Sequence, residues 1–322
     1  MAQTTATLGA ATLKDAMRDK PASGLWKEAF HRLSRSPLAV IAGVLLLVLA
    51  LVTIFAPFVA PHGYQTQNYD AITEHPGHAY WLGTDDLGRD ILSRLIFGAR
   101  ISLTVGLVVQ GVILLIGVPA GLIAGYCGGK IDTAIMRTVD VFYSIPSLLF
   151  VIVIMTFLRA QFANAHGGFG GAIASLDDST GGLVGIFIGI GLINWMPAAR
   201  LVRSQAVSLK NKEFVEAARA SGASGRRIVL SHLLPNVVAT IVVTATLGIP
   251  QAIIYEAGIS FLGLGARPPM PSWGLMISEA IPNLRSYPYM LVSPAIALSL
   301  TVLAFNFLGD GLRDAIDPWM KR

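Results

Sequence analysis

Charge is scarce in this chain. Only 13% of its 322 residues are Asp, Glu, Lys or Arg, about half the roughly 25% of an ordinary soluble domain, which excludes most soluble folds. Cys127 is the only cysteine, so no intrachain disulfide can form and a cysteine-ligated zinc or iron–sulfur cluster would lack ligands. The phosphate-binding pattern GxxxxGK[ST] is missing: Gly128, Gly129 and Lys130 are followed by Ile131, with Ala124 where the first glycine belongs. No ionisable residue falls near the middle of an apolar run, where an ion-coupled transporter holds its coupling ion. Glu256 comes nearest but counts to the outer interface, and Arg137 and Asp140 fall at an inner end. No Ser/His/Asp or Cys/His arrangement has supporting context, which argues against an intramembrane hydrolase.

What the chain has instead is apolar length. With 53% hydrophobic residues and a mean hydropathy of +0.62, it carries more apolar surface than one globular core could hide, so lipid is its solvent. A charge at the bilayer centre costs at least ~2.5 kcal/mol, so charge-free gaps of about 20 residues locate the spans. Six gaps qualify, at 37–60, 101–129, 141–158, 179–199, 228–255 and 286–309. A seventh, 160–176, is rich in Gly, Asn and Gln and reads as a flexible loop. Placing the amino terminus inside puts 18 Lys and Arg on inner segments and 6 on outer ones, so both termini are expected in the cytoplasm. The first apolar run begins too deep for a cleavable signal and reads as a retained span.

Residues 1–36 form the expected cytoplasmic tail and 37–322 the transmembrane domain. Within the tail, Trp26, Phe30 and Leu33 recur at helical spacing among Lys27, Arg32 and Arg35, the pattern of an interfacial amphipathic helix or of a basic flank alone. Residues 1–24 lack periodicity and read as disordered. Gly117, Gly121 and Gly125, and again Gly185 and Gly189, have the spacing that lets helix backbones approach. Pro119, Pro146, Pro197 and Pro250 interrupt spans, which is tolerable where neighbours or a wet cavity satisfy the freed carbonyls. Gln110, Asn194, Gln251 and Asn306 lie inside spans, lining a wet passage or bonding between helices.

Two outer segments and one inner loop stand out. Asp85, Gly88, Arg89, Asp90 and Arg94, with Ile91, Leu95 and Gly98 on one stripe, predict an amphipathic helix at the outer mouth that shapes a gate and receptor platform. Residues 261–273, FLGLGARPPMPSW, read as an outer turn or cap, or an ordinary loop. His75 and His78 of HPGH, in the same outer loop as His62 and Glu74, could supply two metal ligands, although Pro76 and Gly77 favour a simple turn. The inner loop 210–236 is the most basic. There Asn211 caps a helix presenting Phe214, Ala217, Ala218 and Ser221, Gly222 ends it left-handed, and Ser224 caps a second helix that stops before Pro235. Such a small-residue face fits a groove on a partner protein, with Glu216 bonding across or back to the corner; a solvated loop without partner is the alternative.

Glu216, Ala217, Ala218, Gly222, Leu234 and Pro235 match the EAA loop of ABC importer permeases, with His232 where that pattern has Ile. Four further stretches, WLGTDDLGRDILSRLIFGARISL, DVFYSIPSLLF, YEAGISFLGLGARPPMPSWG and NFLGDGLRDAIDP, narrow the match. The chain resembles the C-type permease subunit of dipeptide, oligopeptide and nickel importers. That resemblance implies an all-α membrane protein of the type I importer fold, with six transmembrane helices and a cytoplasmic coupling helix. Glu213, Phe214, Glu216, Ala217, Ala218, Ser221, Gly222, Leu234 and Pro235 would form the surface that docks on an ATPase. It also implies a second homologous permease, two ABC ATPase subunits that hold ATP and Mg, an extracytoplasmic solute-binding protein, and the inner membrane as location. No cofactor, catalysis or nucleic acid is expected in this chain. Di- or oligopeptides are the expected cargo; a nickel or metal-chelate importer, or an ion-coupled secondary transporter, is the alternative.

Overall fold

Apolar runs become helices wherever proline and glycine permit. The computed structural model describes residues 25–165 and 167–316, and the side chains of all of these but Leu25 and Trp26. The expectations for residues 1–24, the Trp26 side chain, Lys321 and Arg322 lie outside the described residues. Among the described residues every regular element is helical, with one isolated bridge between Thr84 and Asp90.

The short α1 (Leu25–Leu33) leads into α2 (Pro37–Ile54) and a single turn, α3 (Ala56–Val59). After a long loop come α4 (Ile91–Cys127), α5 (Gly129–Tyr143), α6 (Ser147–Asn164) and α7 (Gly168–Ser179). α8 (Leu183–Asn194) and α9 (Met196–Leu209) follow, then two short helices, α10 (Glu213–Ala220) and α11 (Gly225–Ile228). The chain ends its described part with α12 (Leu234–Phe261), α13 (Trp273–Ala280) and α14 (Tyr289–Ile316). Five helical stretches, α2, α4, α6, α11 with α12, and α14, are long and apolar enough to cross a membrane. The bent pair α7 and α8, at 108°, brings the number to six if it is counted as one span, and α8 resumes past Trp195 as α9.

Two sequence expectations are corrected here. The third span runs from Ser147 to Asn164, not 141–158, because Pro146, at ψ 116°, is itself non-helical and splits the run from α5. Residues 160–176 are mostly helix rather than flexible loop; Gly167 and Gly168, at φ +77° and +59°, confine the irregularity to one corner. Of the four prolines, Pro119 and Pro250 do lie inside helices, whereas Pro197 sits in the first turn of α9, where its missing N–H has no partner to lose.

α4 is the central helix. A Cβ on Gly121 would lie 2.5 Å from the Ala199 carbonyl and one on Gly125 would lie 2.6 Å from Ala206 Cβ, so the stripe Gly117, Gly121, Gly125 brings the backbones of α4 and α9 into contact. Gly189 likewise leaves room for Met155, whose sulfur a Cβ would approach at 2.8 Å. α1 turns back onto α14, burying Ala29 while Phe30 stays 73% exposed. Connectivity gathers α1, the α4–α5 corner, α10 and the close of α14 at one end of the bundle, the loop end. Residues 61–90 and 262–288 gather at the opposite end.

Candidate functional site

At the loop end, α10 is a small helix held by one side chain. Val215 is fully buried among Leu122, Val202, Ala206, Ile228, Leu233 and Val237, which joins α10 to α4, α9 and α12. That anchor turns the other face outward. Glu213, Phe214, Glu216, Ala217 and Ser221 are exposed and Ala218 is half-buried. Glu213 and Glu216 stand in the first turn, where the helix dipole favours negative charge. Gly222 adopts φ +81°, donating to the Arg219 carbonyl while Ala223 donates to Ala218, so the helix stops where a left-handed residue is required. Ser224 accepts the Arg227 N–H and caps α11 as expected. Asn211 does not cap α10: Lys212 occupies that position, without a side-chain cap bond. The second helix does not stop before Pro235 either. One π-helical turn, Val229–Leu233, carries it into α12, where Pro235 falls in the first turn and Leu234 is half-buried. His232 lies in that turn and its carbonyl accepts from Asn236. Wide turns of this kind recur at functional sites.

Two arginines strap this end together. Arg203 on α9 forks onto Asp132 of α5 at 2.5 and 2.6 Å, and Arg200 bonds Asp140 at 2.6 Å while stacking over Tyr143. The guanidinium hydrogen bonds hold the Asp132 carboxyl below the usual carboxylate range. A lowered native pKa stabilises the fold above the unfolded value, near 4, and that contribution is lost as pH falls through the native one. Asp132→Asn should therefore lower the melting temperature at pH 7, and the gap to the parent should close on acidification below about pH 4. A gap that persists unchanged in acid would contradict this assignment.

The opposite end holds a tighter ion network. Asp85 bonds Arg89 Nε at 2.7 Å and also Arg94, while both guanidinium groups reach Glu279 of α13, at 3.3 and 2.7 Å. Arg94 is only 3% exposed in its side chain. The amphipathic helix predicted across residues 85–94 is instead a turn followed by the start of α4. Asp90 is its N-cap, accepting from Ser93 N at 2.9 Å, so Asp90 and Arg94 do not pair. Gly88 has φ +69° and a Cβ there would overlap the Asn68 carbonyl, so only glycine closes this turn. Burial, with Asp85 and Glu279 close by, pushes the neighbouring Asp86 carboxyl upward.

The 262–272 connection is non-helical, as its Gly and Pro content predicts, and it is tied down. Arg159 donates to the Gly265 carbonyl at 2.8 Å, and Arg267 bonds Asp178 at 2.8 Å and Asp177 at 3.3 Å. Beneath it Glu256, expected at an interface, is fully buried; Ser260 and Ser102 donate to it. The HPGH stretch is a turn, with Gly77 N bonding the Tyr80 carbonyl and the His75 ring against Tyr287 and Tyr289. Among the described residues no three His, Cys, Asp or Glu cluster as metal ligands.

Between the two ends a cavity of about 270 Å³ is lined by Gln110, Asn194, Gln251, Thr244, Gly248 and Tyr255, with apolar neighbours. A larger groove of about 750 Å³ shares Thr244 and Gly248 with it and continues past Gln205 and Thr240 to Arg313 at the loop end. Three of the four predicted polar residues thus meet. Asn306 lines neither space.

The family of binding-protein-dependent transport system inner membrane components matches residues 117–322, and the N-terminal TM domain of oligopeptide transport permease C matches residues 24–76. The chain belongs to the binding-protein-dependent inner membrane components. It is 40% identical over 296 residues to the dipeptide transport system permease protein DppC of Alkalihalophilus pseudofirmus, covering 92% of this chain and 90% of that one. It is 39% identical over 303 residues to the oligopeptide transport system permease protein OppC of Bacillus subtilis, covering 94% and 92%. With the glutathione transport system permease protein GsiD of Pectobacterium atrosepticum it shares 39% over 306 residues, covering 95% of each. In structure it is similar to a chain of the MetNI methionine ABC transporter, with TM-score 0.53 and 22% identity over 70% of this chain and 98% of that one. That likeness shows the fold. As an ABC importer permease, the chain is a multi-pass inner-membrane subunit that works with ATPase and binding-protein partners.

Sequence reasoning missed three residues that organise this permease. Val215 carried a signal, being the lone branched aliphatic in a polar helix. Glu279 lies 185 residues from its partner Arg94, and Asp132 lies 71 from Arg203. Neither spacing marks a pair.

Proposed function

We propose that this permease passes di- or oligopeptides across the inner membrane, with both termini cytoplasmic and α10 as its coupling helix. The observation that carries the reading is α10 itself: a small-residue face left exposed, on a helix tied by Val215 to α4, α9 and α12. The names of the dipeptide and oligopeptide relatives support the cargo.

In this reading Glu213, Phe214, Glu216, Ala217, Ala218, Ser221 and Gly222 dock in an ATPase groove, where alanines permit close approach. Leu234 and Pro235 begin the helix that receives the motion. A second, homologous permease pairs with this one, and two ATPases supply ATP and Mg; this chain binds neither. ATP binding draws the docked helices together, and the Val215 cluster passes that displacement to α4, α9 and α12. The paired bundles then exchange an inward-open for an outward-open arrangement by rigid-body movement. Nucleotide can do this only because its partners bind the two arrangements unequally. The Asp85, Gly88, Arg89, Asp90 and Arg94 turn and its Glu279 partner give the binding protein a rigid platform. Gln110, Asn194 and Gln251 line the route, and residues 1–36 are a cytoplasmic tail.

Affinity capture of the chain from detergent-solubilised native membranes, with mass spectrometry of what co-purifies, tests the assembly. A second permease and ABC ATPases should be recovered with it. A chain recovered alone, yet still active in liposomes without ATP, would contradict the proposal.

A further inference from the structure

Gln110 is 4% exposed, and its carboxamide makes no hydrogen bond to any described residue. Its amide atoms are not sealed off but open onto the cavity they line, so the carboxamide is free to bond to whatever occupies that cavity. Gln251, an exposed residue of α12 that lines the same cavity, has no side-chain partner among the described residues either, and Asn194 spends its N–H on the Ile190 carbonyl and leaves its oxygen uncommitted. Gly248 belongs to the same arrangement, because a Cβ there would overlap the Gln110 carboxamide.

The position suits a checkpoint on the route. Gln110 lies 19 residues into the 37-residue α4, so about 28 Å of helix separates it from the outer turn. No charged side chain lines the cavity. A lining of amides and hydroxyls in an apolar wall offers no charge of either sign for a cargo side chain to pair with. A carboxamide presents a donor and an acceptor together, the complement of a peptide group. The volume, about 270 Å³, is close to the lower bound of about 300 Å³ for small-molecule sites, enough for a short stretch of main chain.

We propose that this cavity is a transit site of the subunit's own, where the carboxamides of Gln110 and Gln251 and the Asn194 oxygen take a main-chain amide of the passing peptide. It rests on the peptide-import reading and adds that the permease itself, through backbone rather than side chain, contacts the cargo.

The test uses the complete importer in proteoliposomes. Gln110→Leu should reduce uptake of labelled dialanine and of a lysine-containing tripeptide alike, by about tenfold, the worth of one hydrogen bond, and Gln110→Asn should recover part of it. In a Cys127→Ala background, Gln251→Cys should react with a methanethiosulfonate more slowly when dialanine is being transported than when alanine is supplied. Absence of peptide uptake by the parent importer would overturn the import reading and this site with it. Normal parent uptake with unchanged Gln110→Leu and no protection at residue 251 would overturn the site alone.

Discussion

Gly222→Asp should abolish coupled uptake while leaving the subunit folded and inserted. Gly222 is at φ +81°, and a Cβ there meets nothing within 4 Å, so the substitution creates no clash inside the chain. The left-handed conformation costs a residue with a side chain about 1–2 kcal/mol, small beside what holds a membrane bundle together. What changes is the docking corner at the C-terminal end of α10, which gains a carboxylate where the helix dipole is already negative and a partner groove must close tightly. Peptide uptake should fall by at least about tenfold while the ATPases continue to hydrolyse ATP. Asparagine tolerates the left-handed region and adds no charge, so Gly222→Asn should retain more transport. Parental uptake by the aspartate variant would remove α10 from the coupling route.

The largest effect on stability is expected at the opposite end, from Arg94→Glu. Arg94 is buried and bonds both Asp85 and Glu279. Reversing its charge leaves four carboxylates together, those of Asp85, Asp86, Glu279 and the new side chain, with only Arg89 to neutralise them. Removing one partner from a buried pair costs about 3–5 kcal/mol, and like-charge repulsion adds to that. The 85–90 turn would then detach from α13, lowering the unfolding temperature of the purified chain and removing stimulation of the ATPases by the binding protein. Arg94→Lys keeps the charge but not the fork, and should fall between the two. A melting temperature and stimulation curve matching the parent would show that the network is decorative.

How far the sequence revealed all this follows from the range of the forces involved. Charge-free runs mark spans because lipid penalises charge residue by residue, so α2, α4, α12 and α14 were legible. Pro146 and the Gly167–Gly168 corner shift boundaries by local backbone geometry, and the gap count overlooked both. The end of α10 was legible in Gly222 because a left-handed residue has a chemical signature; its start was not, since Lys212 caps without a side-chain bond. Pro235 looked like a stop because proline breaks helices, yet after a π turn it falls in a first turn, where it fits. Residues such as Glu279, Thr244 and Gly248 acquire their roles only through partners distant in sequence, and no local pattern announces them.

The central claim is that this chain moves cargo only when driven through α10 by ATPases it does not contain. Uptake of labelled dialanine into liposomes, with the complete importer on one side of the comparison and this permease alone on the other, measures it directly. The account predicts uptake that requires ATP, the ATPases and the binding protein together, and none by the isolated chain. ATP-independent uptake by the chain alone would contradict it.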